Sequence, residues 1–133
     1  MLVTQQMNYM LQWMYDPAHL AVKYDNGHLF FTYQVDAMDI GYLHLEPIGS
    51  DVLKIQKVYV HPDFHERGIG RELIIFTEEI ARQQGRDALE LQVNRGNPAL
   101  QFYQHLGFSI VDEQDFDIGQ GFFMNDFVMR KDI

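Results

Sequence analysis

The segment richest in chemical possibility is Val58-Tyr59-Val60-His61-Pro62-Asp63-Phe64-His65-Glu66-Arg67-Gly68-Ile69-Gly70-Arg71. A β-branched and aromatic run gives way to a proline-containing loop, then to two glycines and two arginines where a helical pattern begins. The first N–H groups of a helix have no intrahelical acceptor, and the positive end of the helix dipole stands behind them. Glycine removes the Cβ atoms that would keep an anion away from those donors, and Arg67 and Arg71 add charge. Such a loop suits a phosphate or pyrophosphate held by main-chain amides, although two glycines also suit an ordinary tight turn. Two other phosphate loops are excluded. G-x-G-x-x-G needs a third glycine where Leu73 stands, and no G-K-[ST] occurs. His61 and His65 have the i, i+4 spacing of a zinc clamp, but Pro62 argues against a helix there and no third ligand is near, so no metal is expected.

The elements that must position this loop follow from periodicity. Met7, Met10, Leu11 and Met14 recur at helical spacing, and Asp16-Pro17 reads as a cap before a short helix over Ala18 to Tyr24, stopped by Asn26-Gly27. Leu29 to Val35, Ile40 to Glu46 and Leu53 to Val60 read as strands of an antiparallel meander, the first two joined by a turn around Asp36 and Asp39. Arg71 to Gln84 is a helix with Leu73, Ile74, Phe76, Thr77, Ile80 and Ala81 on its buried face, ended by Gly85. Ala88 to Val93 is a strand, so strand, helix and strand form a right-handed crossover with parallel strands. Pro98 to Leu106 is a second helix, stopped at Gly107. Phe108 to Val111 and Phe122 to Met129 close a mixed sheet with helices on its faces.

Composition narrows the function classes. The 133 residues fit a single domain over 1–133, and 47% hydrophobic residues supply a core. No run of apolar residues is long enough to span a bilayer, and the first residues lack the pattern of a secretion signal. Cysteine is absent, which excludes disulfides, thiolate metal sites and cysteine nucleophiles and suits a cytoplasmic location. A formal net charge of −9 argues against nucleic acid and membrane partners and favours cations such as amines, while also serving plain solubility.

The loop resembles that of the GNAT superfamily of acetyl-CoA-dependent N-acetyltransferases, in which [Q/R]-x-x-G-x-[G/A] joins a strand to a helix. Here it reads His65-Glu66-Arg67-Gly68-Ile69-Gly70, with His65 in place of the usual Gln or Arg. A second block, Leu91 to Phe108, resembles the family's strand–loop–helix–Gly-Phe pattern, and Met124 to Met129 resembles its last strand. The resemblance covers roughly Met14 to the end. It implies an α/β (α+β) GNAT fold: a mixed, mostly antiparallel twisted sheet with a central splayed parallel strand pair and flanking helices. Members open with a first strand and a longer first helix, whereas this chain starts partway through that helix. The sheet edge is then open or filled by a partner chain, as in a homodimer.

Carried over by position, the resemblance implies an acetyl-CoA site. The pantetheine arm would lie along Val58 to Val60 like an added strand, in a slot left where this strand splays from Leu89 to Val93. The pyrophosphate would meet the amides of Glu66, Arg67, Gly68, Ile69, Gly70 and Arg71. Asn97 would bond the arm from the far side, and an N–H near Val60 would receive the acetyl oxygen. Tyr103 occupies the place of the family's acid for the leaving thiolate, and Phe102 beside it is expected in the core. A free alkylamine has a pKa of about 10, so a proton must be accepted during attack. The glutamate some relatives use five residues before Asn97 is Gln92 here. Glu46 ranks first among the alternatives, ahead of Glu90, His44 and Tyr59, and an ordered water chain would serve as well. His19, His28 and His105 stand singly and receive no role. The acceptor, a primary amine of a small molecule or peptide, would be chosen by Asn26 to His28, Pro47 to Asp51 and an acidic loop over Asp112 to Gln120. The alternative is a GNAT-like module that binds acyl-CoA without turnover.

Overall fold

The computed structural model describes residues 27–119 and 122–133. The helices expected around Met7 to Met14 and Ala18 to Tyr24, with their Asp16-Pro17 cap, lie outside the described residues. Strands β1 (Leu29–Val35), β2 (Met38–Ile48) and β3 (Val52–Val60) form the expected antiparallel meander. Helix α1 (Ile69–Gln83) crosses to β4 (Ala88–Asn94), and α2 (Ala99–His105) leads to the hairpin β5 (Ser109–Gly119) and β6 (Phe122–Asp132). The sheet order is β1-β2-β3-β4-β6-β5, and among the described residues only β3 and β4 run parallel.

Helix α1 starts two residues earlier than its periodicity suggests, because Ile69 already belongs to the buried face with Leu73, Ile74, Phe76, Thr77 and Ala81. That face packs on Leu43, Leu45, Leu53, Leu89 and Leu91. The β1–β2 turn is tighter than expected. Asp36 and Ala37 both have positive φ, the two-residue turn whose twist matches a hairpin, and Asp39 falls within β2. Strand β2 also runs on through Pro47. The ladder with β1 ends at Leu29↔Leu45, so a residue without an N–H is tolerated there.

The acidic segment read as a loop is instead most of β5. Residues Asp112 to Asp117 pair with Val128 to Phe123 of β6. An edge strand with carboxylates reads as a solvated loop in sequence, but its ladder to β6 supplies the partners that strand propensity does not. Arg95 ties this strand to the rest, lying 3.0 Å from Asp115 and 3.7 Å from Glu113.

The feature that matters most for function is a fork. Strands β3 and β4 pair only from Val52↔Ala88 to Ile55↔Leu91. Beyond that point β3 continues along β2, and β4 continues along β6. The register of β3 against β2 slips between Leu45↔Ile55 and His44↔Lys57, which leaves Gln56 as a bulged extra residue at the fork. A bulge bends its strand and increases its twist, which turns β3 away from β4.

Candidate active site

One wall of the fork is the free edge of β3. The His61 N–H bonds to the Ile40 carbonyl at 2.6 Å. In an antiparallel ladder the bonded and non-bonded positions alternate, so Tyr59 turns its main-chain groups toward β2. Val58 and Val60 therefore turn theirs into the opening. These are the two residues expected to pair with an extended arm. One of their four groups is already engaged, since the His65 ring Nε2 donates to the Val60 carbonyl at 2.8 Å. His65, the departure from the family pattern, thus folds back on the strand end.

The loop beyond is ordered by local bonds. The His61 ring accepts from the Asp63 N–H at 3.1 Å, and Pro62–Phe64 makes a short 3₁₀ turn. Glu66 and Gly68 have φ of 68° and 77°, on either side of Arg67, a change of hand that curls successive N–H groups toward one concavity. The first bond of α1 runs from Glu72 N–H to the Gly68 carbonyl at 3.0 Å. Among the described residues, no main-chain N–H from Glu66 to Arg71 donates to the protein. That row of unmatched donors at a helix start fits a diphosphate.

The two glycines serve different ends. A Cβ at Gly68 would meet nothing within 4 Å, so its requirement is the left-handed φ. A Cβ at Gly70 would come 3.2 Å from the Phe102 ring, so here close approach decides. Ile69 offers only its N–H, its side chain being in the core. Arg67 lies over the Phe64 ring at 5.0 Å, and neither Arg67 nor Arg71 has an ion-pair partner among the described residues. Arg71 opens with Phe102, His105 and Lys131 onto a surface groove of about 560 Å³ between α1 and α2.

Across the fork, β4 ends at Asn94, whose Oδ1 accepts from the Gly96 N–H at 3.0 Å. Asn97 Oδ1 accepts from the Ala99 N–H at 2.9 Å, so this side chain starts α2 and only its amide nitrogen is free for a ligand. Of the two aromatic residues that follow, Phe102 departs from its expected place. Tyr103 is the buried one, 8% exposed against Phe108, while Phe102 is 38% exposed over Gly70. Phe102 is therefore not core; the helix turns Tyr103 inward instead. Burial pushes the Tyr103 phenol above its ordinary pKa, which keeps its proton in place at neutral pH.

Glu46 sits on β2, with Lys54 as its Cα partner on β3. Its Oε1 accepts from Gln56 Nε2 at 2.5 Å, which ties the carboxylate to the bulge at the fork. Its Oε2 lies 3.0 Å from His28 Nε2, and His28 Nδ1 lies 2.8 Å from His44 Nε2. His28, a lone histidine in sequence, is thus brought into the site. Glu90 falls opposite Lys54 and Arg130, Gln92 bonds Gln114 at 3.2 Å, and Tyr59 stacks on Tyr42. None of these three touches the Glu46 cluster.

Residues 26–110 match the acetyltransferase (GNAT) domain family. An uncharacterized N-acetyltransferase of Lactobacillus delbrueckii subsp. lactis is 31% identical over 113 residues, covering 79% of this chain and 65% of that protein. Spermidine N(1)-acetyltransferase of Thermoplasma acidophilum is 27% identical over 104 residues, covering 77% and 58%. The chain thus spans less than two thirds of the length of these curated relatives. In fold it is similar to a GNAT family acetyltransferase from Elizabethkingia anophelis with acetyl-CoA bound, with a TM-score of 0.71 at 18% identity over 100% of this chain and 92% of the other. A forked parallel pair, a row of free amides and a family match across most of the chain agree: this protein is a member of the GNAT acetyltransferase superfamily.

Proposed function

We propose that this chain transfers the acetyl group of acetyl-CoA to a primary amine of a small molecule or peptide, by direct attack within a ternary complex. The observation that carries this reading is a pair of unbonded main-chain sets, one on the edge of β3 at Val58 and Val60 and one in the N–H groups from Glu66 to Arg71 at the start of α1. Val58 and Val60 would bond the pantetheine arm, and the N–H groups from Glu66 to Arg71 would hold the diphosphate, with Arg67 and Arg71 adding charge. Asn97 would bond the arm through its amide nitrogen.

The amine nitrogen attacks the thioester carbonyl carbon, and the carbon–sulfur bond breaks. The Val60 N–H, facing the opening, would stabilise the negative oxygen formed in between. Glu46, directly or through water, would take the proton lost by the amine. Tyr103 would give its proton to the departing thiolate; its raised pKa suits an acid that must still be protonated when needed. The acceptor's identity is the finer question. The relative that acetylates spermidine makes that polyamine the first amine to try, and a net charge of −9 suits a cation.

Release of free CoA over a panel of amines, begun with spermidine, tests this reading. Tyr103→Phe should lower kcat on the order of tenfold to a hundredfold without weakening acetyl-CoA binding. A mutant as active as wild type across pH would remove Tyr103 from the mechanism. Tight acetyl-CoA binding with no acetylation of any amine would instead support a binding module without turnover.

A further inference from the structure

Three side chains on one face of the sheet form a single hydrogen-bonded row: Glu46, His28 and His44. The row begins at the fork, where Gln56 holds Glu46 Oε1, and runs inward to His44. His44 is 4% exposed, and the Phe30 ring stacks on it with centroids 4.3 Å apart and planes 20° apart. The inner end of the row is thereby held by packing, and the outer end is tied to the bulge at the fork.

The position of each hydrogen follows from the acceptors. An ionised carboxylate can only accept, so His28 Nε2 carries a hydrogen. In a neutral His28 ring Nδ1 is then an acceptor, and His44 Nε2 must donate to it. In a cationic His28 ring Nδ1 donates, and His44 Nε2 accepts. The same heavy-atom positions serve both states with both bonds kept. A lone surface carboxylate turns freely; this one has each oxygen claimed by a side-chain donor.

We infer that His28, backed by His44, is a positioning residue for the proton acceptor Glu46. It fixes the carboxylate through Oε2, so that Oε1 receives the proton of the attacking amine. His28 keeps its Nε2 hydrogen throughout and takes up no proton at that nitrogen. This rests on the reading of Glu46 as the base.

Two measurements on the full chain separate the possibilities. With ¹⁵N-labelled histidine rings, NMR near neutral pH should show the His28 Nε2–H protected from solvent exchange and shifted by Glu46→Gln. A His28 ring averaging between tautomers, with its hydrogens exchanging freely, overturns the inference. In kinetics with spermidine, or with the amine the panel selects, Glu46→Gln should lower kcat about a hundredfold or more. His28→Leu should lower kcat on the order of tenfold with acetyl-CoA affinity unchanged, and His28→Gln, which keeps an N–H donor, should recover most of it. His28→Leu at the wild-type rate beside an inactive Glu46→Gln overturns the positioning role and leaves the base standing. Glu46→Gln at the wild-type rate overturns both, while acetyl transfer itself would still stand.

Discussion

The wall of the opening from Val58 to Arg71 presents main-chain groups, whereas the cluster around Glu46 on β2 presents side chains held by one another. The first is specified by backbone geometry: a bulge at Gln56, a left-handed residue at Gly68, a close approach at Gly70. Most side chains along it can change without removing a donor. The second depends on the identity of each residue, because deleting one group removes a bond that its neighbour makes. A wall of amides can serve a cofactor shared across a family, while a cluster of side chains can be retuned for one acceptor.

This contrast can be broken in order of effect. Gly68→Val places a β-branched residue at φ 77°, which costs roughly 1–3 kcal/mol, so the loop should abandon its turn and acetyl-CoA affinity should fall tenfold or more. Calorimetric titration checks this, and unchanged affinity would mean the amides are not the cradle. Gly70→Ala brings a Cβ to 3.2 Å from Phe102, whose half-exposed ring can swing out, while alanine favours the helix by about 0.5–1 kcal/mol. Thermal unfolding should move little while acetyl-CoA affinity drops severalfold. A fall in Tm cured by adding Phe102→Ala would give Gly70 a packing role alone.

The smallest effect concerns Tyr33, whose hydroxyl donates to Glu72 at 2.7 Å at the start of α1. That bond, then burial and the Glu72 charge, push the phenol up to about 12 from 10.0. The folded state therefore keeps a proton that the unfolded chain loses above pH 10, and the stabilisation present below pH 10 is lost as pH rises toward 12. Tyr33 is only partly buried, so solvent screening keeps the effect small. Tyr33→Phe should flatten the alkaline limb of a stability–pH profile measured by urea unfolding; an unchanged limb would mean the bond contributes nothing.

The two regions were also unequally legible. The glycine loop, the crossover and the parallel pair follow from residues close in sequence, since turn chemistry and helical periodicity are local signals. His28 was missed because its place depends on register. Counted from the turn at Asp36-Ala37 without interruption, His28 falls opposite Leu45 and faces away from Glu46. The extra residue Ile40 between Gln34↔Asp39 and Tyr33↔Gly41 shifts the ladder by one, bringing His28 level with Glu46. No single residue announces such a bulge. The fork at Gln56 was legible only through the family resemblance, and the Asp112 to Gly119 part of β5 reads as a loop because carboxylates on an outer strand mimic loop composition. The exposure of Phe102 reflects a one-residue ambiguity in the orientation of a short helix.

The same outer strand has a consequence for the molecule in a crowded solution. Among the described residues, strand β5 has one hydrogen-bonding side without a partner strand, which is a template on which other chains could grow. Exposed Asp112, Glu113 and Asp115 line it, and Arg95 offsets only part of their charge. Two copies meeting edge to edge would crowd like carboxylates together, while the kinks at Val111 and Ile118 spoil a flat match. Colloidal self-association along this border is thereby disfavoured, and salt, which screens like charges, should weaken that protection.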